Sequence, residues 1–197
     1  MKQFAPATER NREPICEVLK QHLPSTGKVL EIASGTGQHV AYFAKRFPSL
    51  TWIPSEPEAS SRESIRDWTT EDELENVLPP LPLNVLDEKW AVDKADAILN
   101  INMIHISPWE TTTALMKGAS TVLQKGAPLI LYGPFIEDGV ETAPSNVDFH
   151  HWLRARNPEF GIRRLDKVTE VAEAHGFKKI ARFEMPANNL SVVFEKL

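Results

Sequence analysis

The chain has 197 residues, of which 42% are hydrophobic and 25% charged, with a net charge of −5. These values suit one soluble α/β domain and exclude collagen-like or wholly disordered order. A single cysteine, Cys16, excludes an internal disulfide and any multi-cysteine metal site; with no H-x-x-x-H or H-E-x-x-H either, no metal is expected, and the mild acidity without a basic run argues against nucleic acid as a partner.

Met1–Arg12 is too polar for a signal peptide, and no apolar run approaches the roughly 18 residues that span a bilayer. A single cytoplasmic domain over residues 1–197 is therefore the expectation, with no membrane partner.

Pro14 suits the first turn of a helix running to about Leu23, with Ile15, Val18, Leu19 and His22 on one face. Lys28–Ile32 reads as a buried strand, Ala33–Gly37 as a turn and Gln38–Phe47 as a helix. Leu50–Pro54 is a second strand, Glu58–Asp72 a polar helix with Ile65 and Trp68 inward, Leu81–Val85 a third strand and Ala95–Ile101 a fourth. Ser107, Pro108 and Glu110 have the spacing of a capping box that opens a helix to about Gln124, and Ala127–Tyr132 is a fifth strand. Alternation then gives way to a loop over Gly133–Ser145, a helix over Asn146–Arg156 and irregular chain over Asn157–Arg164. Asp166 is placed to cap a helix through His175. Lys178–Met185 and Leu190–Lys196 are strands whose connection is short enough to require an antiparallel hairpin. The sum is an α/β fold: a mostly parallel seven-stranded sheet closed by that hairpin, with helices on both faces.

The most informative segment is Val29–Gly37, an apolar strand feeding a small-residue turn and then a helix. Glycine lets a ligand approach the backbone closely, and open α/β sheets bind ligands at the carboxyl ends of parallel strands. A dinucleotide fingerprint needs a third glycine where this chain has Val40, and no G-K-[ST] follows for a P-loop. Glu31, just before the turn, suits a ligand with a cationic amino group such as S-adenosylmethionine, or organises the turn itself. Glu56 lies 19 residues beyond Gly37, just past the second strand, where an acid accepts hydrogen bonds from ribose hydroxyls. Glu31 and Glu56 flanking Gly35 and Gly37 resemble the class I methyltransferase pattern.

Several short motifs then act together: Ala7–Ile15, Leu30–Gln38, Asn102–Trp109, Tyr132–Phe135, Gly161–Arg163 and Met185–Asn189. They resemble the methyltransferase-like family long filed as a domain of unknown function, which includes methyltransferase-like protein 26, and the resemblance covers nearly the full chain. It implies a Rossmann-like class I methyltransferase fold that binds S-adenosylmethionine and releases S-adenosylhomocysteine. It implies no particular acceptor. Ala33 stands where the general pattern has glycine, and Asn84 where an aspartate holds the adenine amino group. The asparagine carbonyl can accept the same bond, and Asp87 is the alternative.

Methyl transfer is an in-line displacement that needs a positioned nucleophile and sometimes a base. His105, Asn102 and Tyr132, near the ends of the fourth and fifth strands, are the catalytic candidates. The donor set is Arg10, Asn11, Glu31, Ala33, Ser34, Gly35, Gly37, Glu56, Asn84, Asp87 and Asn100. Arg10 and Asn11 enter because the N-terminal segment, residues 1–24, folds over the cofactor in many small methyltransferases. Trp109, Asn146, Arg154, Arg163, Asn188 and Asn189 are acceptor candidates, since the 134–164 excursion is long enough for a lid. The leading reading is a methyltransferase with a small-molecule acceptor. The alternatives are a non-catalytic S-adenosylmethionine or nucleoside-binding regulatory module and, behind it, an NAD-dependent oxidoreductase.

Overall fold

The first helix, α1 (Pro6–His22), begins eight residues before the expected start at Pro14. Pro6 takes the first-turn position that proline prefers, and Pro14 lies inside the helix, where it withholds only one backbone donor. The buried face continues N-terminally from Ile15, Val18 and Leu19 through Asn11 to Thr8. Thr8 and Asn11 are therefore inward residues of α1, and neither caps it.

The computed structural model describes residues 1–197. After α1 come β1 (Gly27–Ile32), α2 (Gln38–Arg46), β2 (Leu50–Ser55), α3 (Ala59–Glu71) and β3 (Ala97–Ile101). A short 3₁₀ turn, Met103–His105, leads to α4 (Trp109–Val122), β4 (Pro128–Gly133), β5 (Phe135–Ile136) and α5 (Pro144–Arg156). The chain closes with β6 (Arg163–Arg164), α6 (Leu165–Ala174), β7 (Phe177–Met185) and β8 (Asn189–Lys196).

The main sheet has six strands in the order β2-β1-β3-β4-β8-β7, and β5 and β6 form a separate parallel pair. The pairings among β2, β1, β3 and β4 are parallel, while β8 runs antiparallel to both β4 and β7. The terminal hairpin is as expected, but the seven-stranded count is not. The segment expected as a third strand, Leu81–Val85, forms no ladder. Its neighbourhood touches the β2 edge through two isolated bridges, Trp52 with Val77 and Ser55 with Leu81. Pro79, Pro80 and Pro82 carry no N–H to extend that pairing.

Side chains along the sheet alternate between two cores. Leu30, Ile32 and Ile98 pack with Leu115, Met116 and Ala119 of α4 and Val168 and Ala172 of α6. Val29, Ala97, Leu99 and Ile130 pack on the other face with Ile15 and Leu19 of α1, Val40 and Phe43 of α2 and Ile65 of α3. Helices thus cover both faces. Two expected caps are absent. The Ser107 hydroxyl turns to Met103 O (2.7 Å) and Thr111 Oγ1 (2.6 Å), and α4 starts without a side-chain cap. Asp166 lies within α6 and pairs with Arg164. No helix is long and apolar enough to cross a membrane.

Candidate functional site

At the carboxyl end of β1 the backbone turns through three left-handed residues, Ala33 (φ 57°), Gly35 (φ 54°) and Gly37 (φ 90°). The two glycines are needed for different reasons. A Cβ on Gly37 would lie 2.7 Å from the Ile65 Cα, so this position lets α2 close against α3. A Cβ on Gly35 would meet nothing within 4 Å, so this position is open to an incoming ligand. Ala33 holds a left-handed φ that costs an L-residue about 1–2 kcal/mol, which explains why glycine is usual there.

Hydrogen bonds to the end of β2 fix this turn. Ser34 N–H donates to Ser55 O (2.9 Å), and Ser55 Oγ donates to Glu31 O (2.8 Å). Gly35 N–H donates to Glu56 Oε2 at 3.0 Å. Asn100, fully buried on β3, donates from Nδ2 to Ile32 O (3.0 Å) and so braces β1 immediately before the turn.

Glu31 is 2% exposed, and its Oε2 is buried without a partner. Burial pushes its carboxyl up to about 7; a bond from Ser34 opposes the rise and the nearby Glu56 adds to it. Burial also raises Glu56, against the bonds it accepts from the Gly35 and Glu58 backbone N–H groups. A buried acceptor that lacks a donor costs about 1–3 kcal/mol, so a cationic donor entering beside Gly35 would meet a prepared partner.

The N-terminal arm is bound to the same turn. Gln3 N–H donates to Ser64 Oγ (2.8 Å), and Ser64 Oγ donates to Thr36 O (2.7 Å). Ala5 N–H donates to Gln38 Oε1, which also bonds Thr36 Oγ1. Phe4 and Lys2 cover the Trp68 ring. Gln38 and Ser64 are buried polar residues that the sequence reading did not single out. The available signal was Ser64 standing beside inward Ile65 on an otherwise polar helix. Further along α1, Asn11 Oδ1 accepts from His39 Nε2 (2.8 Å), and burial and Arg12 push His39 down to about 3. The Tyr132 hydroxyl, raised by burial, faces Asn11, Asn189 and, more distantly, Arg10. Asn11, Tyr132 and Asn189 are therefore brought together from α1, β4 and β8.

At the end of β3, Asn102 takes a left-handed conformation (φ 64°) and its N–H donates to Tyr132 O at 2.8 Å. His105 is fully buried beneath Gly133, where a Cβ would stand 2.5 Å from His105 Nε2. Its Nδ1 accepts the Arg163 N–H (3.2 Å) and its Nε2 has no partner. Burial and the adjacent Arg163 push it down to about 3. A neutral ring whose Nδ1 accepts carries its proton on Nε2, so His105 is a buried donor here and lacks the free lone pair that a base needs. Arg163, one of the acceptor candidates, donates instead to Ile104 O (2.8 Å), Ser107 O and Glu159 O (2.8 Å). Its guanidinium lies 5.6 Å from the Trp109 ring, which is 37% exposed.

The remaining candidates are two groups and one isolated residue. Asn84 and Asp87 are exposed and bind each other's loop: Asn84 N–H donates to Asp87 Oδ2 (3.1 Å), and Asn84 Oδ1 accepts from Leu86 N–H (3.0 Å). Asn146, Asn188 and Asn189 meet at the terminal hairpin, where Asn146 Nδ2 donates to Asn188 O (2.8 Å) and Asn188 Nδ2 to Ser145 Oγ (3.2 Å). Arg154 is exposed on α5.

The family model described as "Protein of unknown function (DUF938)" matches residues 2–196. Among solved structures, an O-methyltransferase family protein from Burkholderia thailandensis superposes with a TM-score of 0.79 at 16% identity, over 93% of this chain and 55% of that one. An O-methyltransferase family 2 protein from Planctomyces limnophilus, solved with apigenin, gives 0.81 at 14% identity, over 95% and 56%. CalO1, a methyltransferase in calicheamicin biosynthesis solved in its SAH-bound form, gives 0.76 at 14% identity, over 91% and 52%. At such identities the likeness is one of fold, and this fold is theirs. The chain spans about half the length of these structures.

Proposed function

The chain belongs to the DUF938 family of proteins of unknown function, and we propose that it is an S-adenosylmethionine-dependent methyltransferase with a small-molecule acceptor. Kinship with methyltransferase-like protein 26 forms part of this reading. One observation carries it: Glu31, buried with an unpartnered Oε2 at the carboxyl end of β1, lies beside a turn whose Gly35 faces open space. A carboxylate so placed suits a cationic amino group. The methyltransferase fold of the solved relatives supports it, since CalO1 holds SAH on that fold.

S-adenosylmethionine supplies an electrophilic methyl group on a sulfonium. The residues around it would bind and orient. Glu31 receives the amino group, and Ala33, Ser34, Gly35 and Gly37 offer backbone to the ligand. Glu56 keeps one oxygen on Gly35 N–H and presents the other to ribose. Asn100 holds the end of β1 against β3. Asp87 is better suited to adenine than Asn84, because the Asn84 carbonyl already accepts Leu86 N–H. The N-terminal arm, with Arg10 and Asn11, excludes water, and residues 134–164 form a lid over the acceptor. Tyr132 and Asn102 position the nucleophile, and His105 supports Gly133 from below. Titration calorimetry with S-adenosylhomocysteine tests the reading: saturable binding lost in Glu31→Ala is expected, and no heat at millimolar ligand would remove it.

A second reading, binding without turnover, draws support from His105. Its neutral, buried ring supplies no base at the end of β3. Donor consumption across a metabolite extract separates the two readings.

A further inference from the structure

Beyond the donor turn, a cleft of about 300 Å³ opens between the start of α5, the 137–143 loop and the β7–β8 hairpin. It lies at the carboxyl end of β4, since Gly133 pairs with Leu190 where β8 leaves the hairpin. Asn189 joins the cleft to the proposed site, because it lines the cleft and also faces the Tyr132 hydroxyl.

The lining has a consistent chemistry. Phe135, Met185 and Leu190 are buried side chains that give it an apolar floor. Its charged groups are three carboxylates, Glu137, Glu141 and Glu184, against one guanidinium, Arg182. That cation is already engaged: Arg182 Nε donates to Glu137 Oε2 (2.8 Å), a second nitrogen donates to Glu137 Oε1, and a third donates to Glu184 Oε1 (3.1 Å). Glu141 shares in no ion pair with it. Asn146 is 8% exposed and lines the cleft; its Nδ2 is spent on Asn188 O, while its Oδ1 receives no hydrogen bond from the protein. The groups left free are therefore Glu141, the second oxygen of Glu184 and Asn146 Oδ1, above an apolar base. An anionic guest would face uncompensated carboxylates, whereas an ammonium would complement them.

We propose that this cleft is the methyl acceptor's site and that it recognises a small molecule carrying a protonated amine on an apolar body. The ammonium sits at Glu141, Glu184 and Asn146 Oδ1, and the apolar part rests on Phe135, Met185 and Leu190. The inference deepens the methyltransferase reading and rests on it for the word acceptor. The size of the cleft limits the guest to roughly a single ring with a short chain.

Three probes with one ring and different head groups test it: tyramine, its neutral alcohol counterpart 2-(4-hydroxyphenyl)ethanol, and 4-hydroxyphenylacetate. Each is titrated into the full chain saturated with S-adenosylhomocysteine and followed by amide NMR shifts. The expected result is tyramine binding about 5–10-fold tighter than the alcohol, no binding of the acid, and shifts centred on Asn189 and Glu141. In the double variant E141Q/E184Q the amine should lose that preference, while the alcohol binds unchanged. Both substitutions fall on exposed side chains, so folding should be retained. Equal or better binding of the acid, binding of none of the three, or an amine preference that survives the double variant would overturn the proposal. S-adenosylhomocysteine affinity read in the same samples keeps the two claims apart. If it binds and the amine does not, only the acceptor inference fails. If it does not bind, the donor reading fails whatever the amine does.

Discussion

Glu56 Oε2 accepts the Gly35 N–H at 3.0 Å, so the acid at the end of β2 is itself part of the glycine turn after β1. A glutamine can keep that acceptor, but its amide meets the ribose with a donor where a carboxylate had an acceptor. Glu56→Gln is therefore expected to weaken S-adenosylhomocysteine by about tenfold with little change in melting temperature. Glu56→Ala removes the strap as well, and should cost a further tenfold in affinity and about 1–2 kcal/mol of stability. Calorimetry and thermal melts on both variants check the separation.

Glu31 yields a pH dependence with a definite sign. Its carboxyl rises from 4.5 to about 7 in the folded chain, so between those values the folded state holds a proton that the unfolded state has released. Stability without ligand should therefore fall as pH rises from 4.5 to 7, by up to about 3 kcal/mol, and Glu31→Gln should flatten that slope. Binding of a cationic amino group requires the ionised form. Affinity for S-adenosylhomocysteine should thus decrease by up to about tenfold per unit below pH 7, with about one proton released per ligand bound. Calorimetry in buffers of different ionisation enthalpy measures that proton directly.

Much of this site was legible before the structure because the relevant residues lie close in sequence and carry a distinctive pattern. An apolar strand, two glycines and two acids mark the ends of β1 and β2, where Glu56 bonds the Gly35 N–H and Glu31 lies nearby. The helical face of α1 was also readable, but its start was not: two prolines competed for the first-turn position, and only burial of Thr8 and Asn11 settles on Pro6. The Leu81–Val85 strand failed because Pro82 inside it, and Pro79 and Pro80 just before it, remove donors from chain whose alternation still reads as extended. Roles that depend on distant partners were hidden. The sequence of His105 gives no hint that Arg163, 58 residues away, will fill its Nδ1, nor that Gln38 and Ser64 will receive the arm.

The two glycines of the turn should separate fold from binding. Gly37→Ala drives a Cβ to 2.7 Å from backbone of α3 at a φ of 90°, and should destabilise the chain by about 3 kcal/mol or prevent folding. Gly35→Ala meets no protein atom, so it should cost only about 1 kcal/mol while obstructing the ligand. Soluble yield and melting temperature should drop sharply for the first variant. For the second, S-adenosylhomocysteine affinity should drop instead.

Ala33 offers the opposite experiment. It holds φ 57° with an L side chain, and glycine there relieves the conformational penalty while loosening the unfolded chain. Ala33→Gly should stabilise the protein by about 0.5–1 kcal/mol in urea unfolding, with the slope unchanged. A loss of stability would mean that the Ala33 methyl, which packs against the core shared by the sheet, α4 and α6, contributes more than the backbone strain costs.

Arg163 and His105 form a unit that should behave as structure. The guanidinium satisfies three backbone carbonyls, those of Ile104, Ser107 and Glu159, and the backbone N–H of Arg163 occupies His105 Nδ1. Arg163→Ala leaves those carbonyls to water or unpaired, and should cost about 2–4 kcal/mol, read as a melting point lower by roughly 5–12 °C. Arg163→Lys keeps the charge but not the fork of donors, so it should recover less than half of that loss. Because burial holds His105 down to about 3, its ring resonances should not move between pH 5 and 8, and no activity found for the chain should titrate with a histidine near 6.5. A ring that titrated in that range would return His105 to the role of a base.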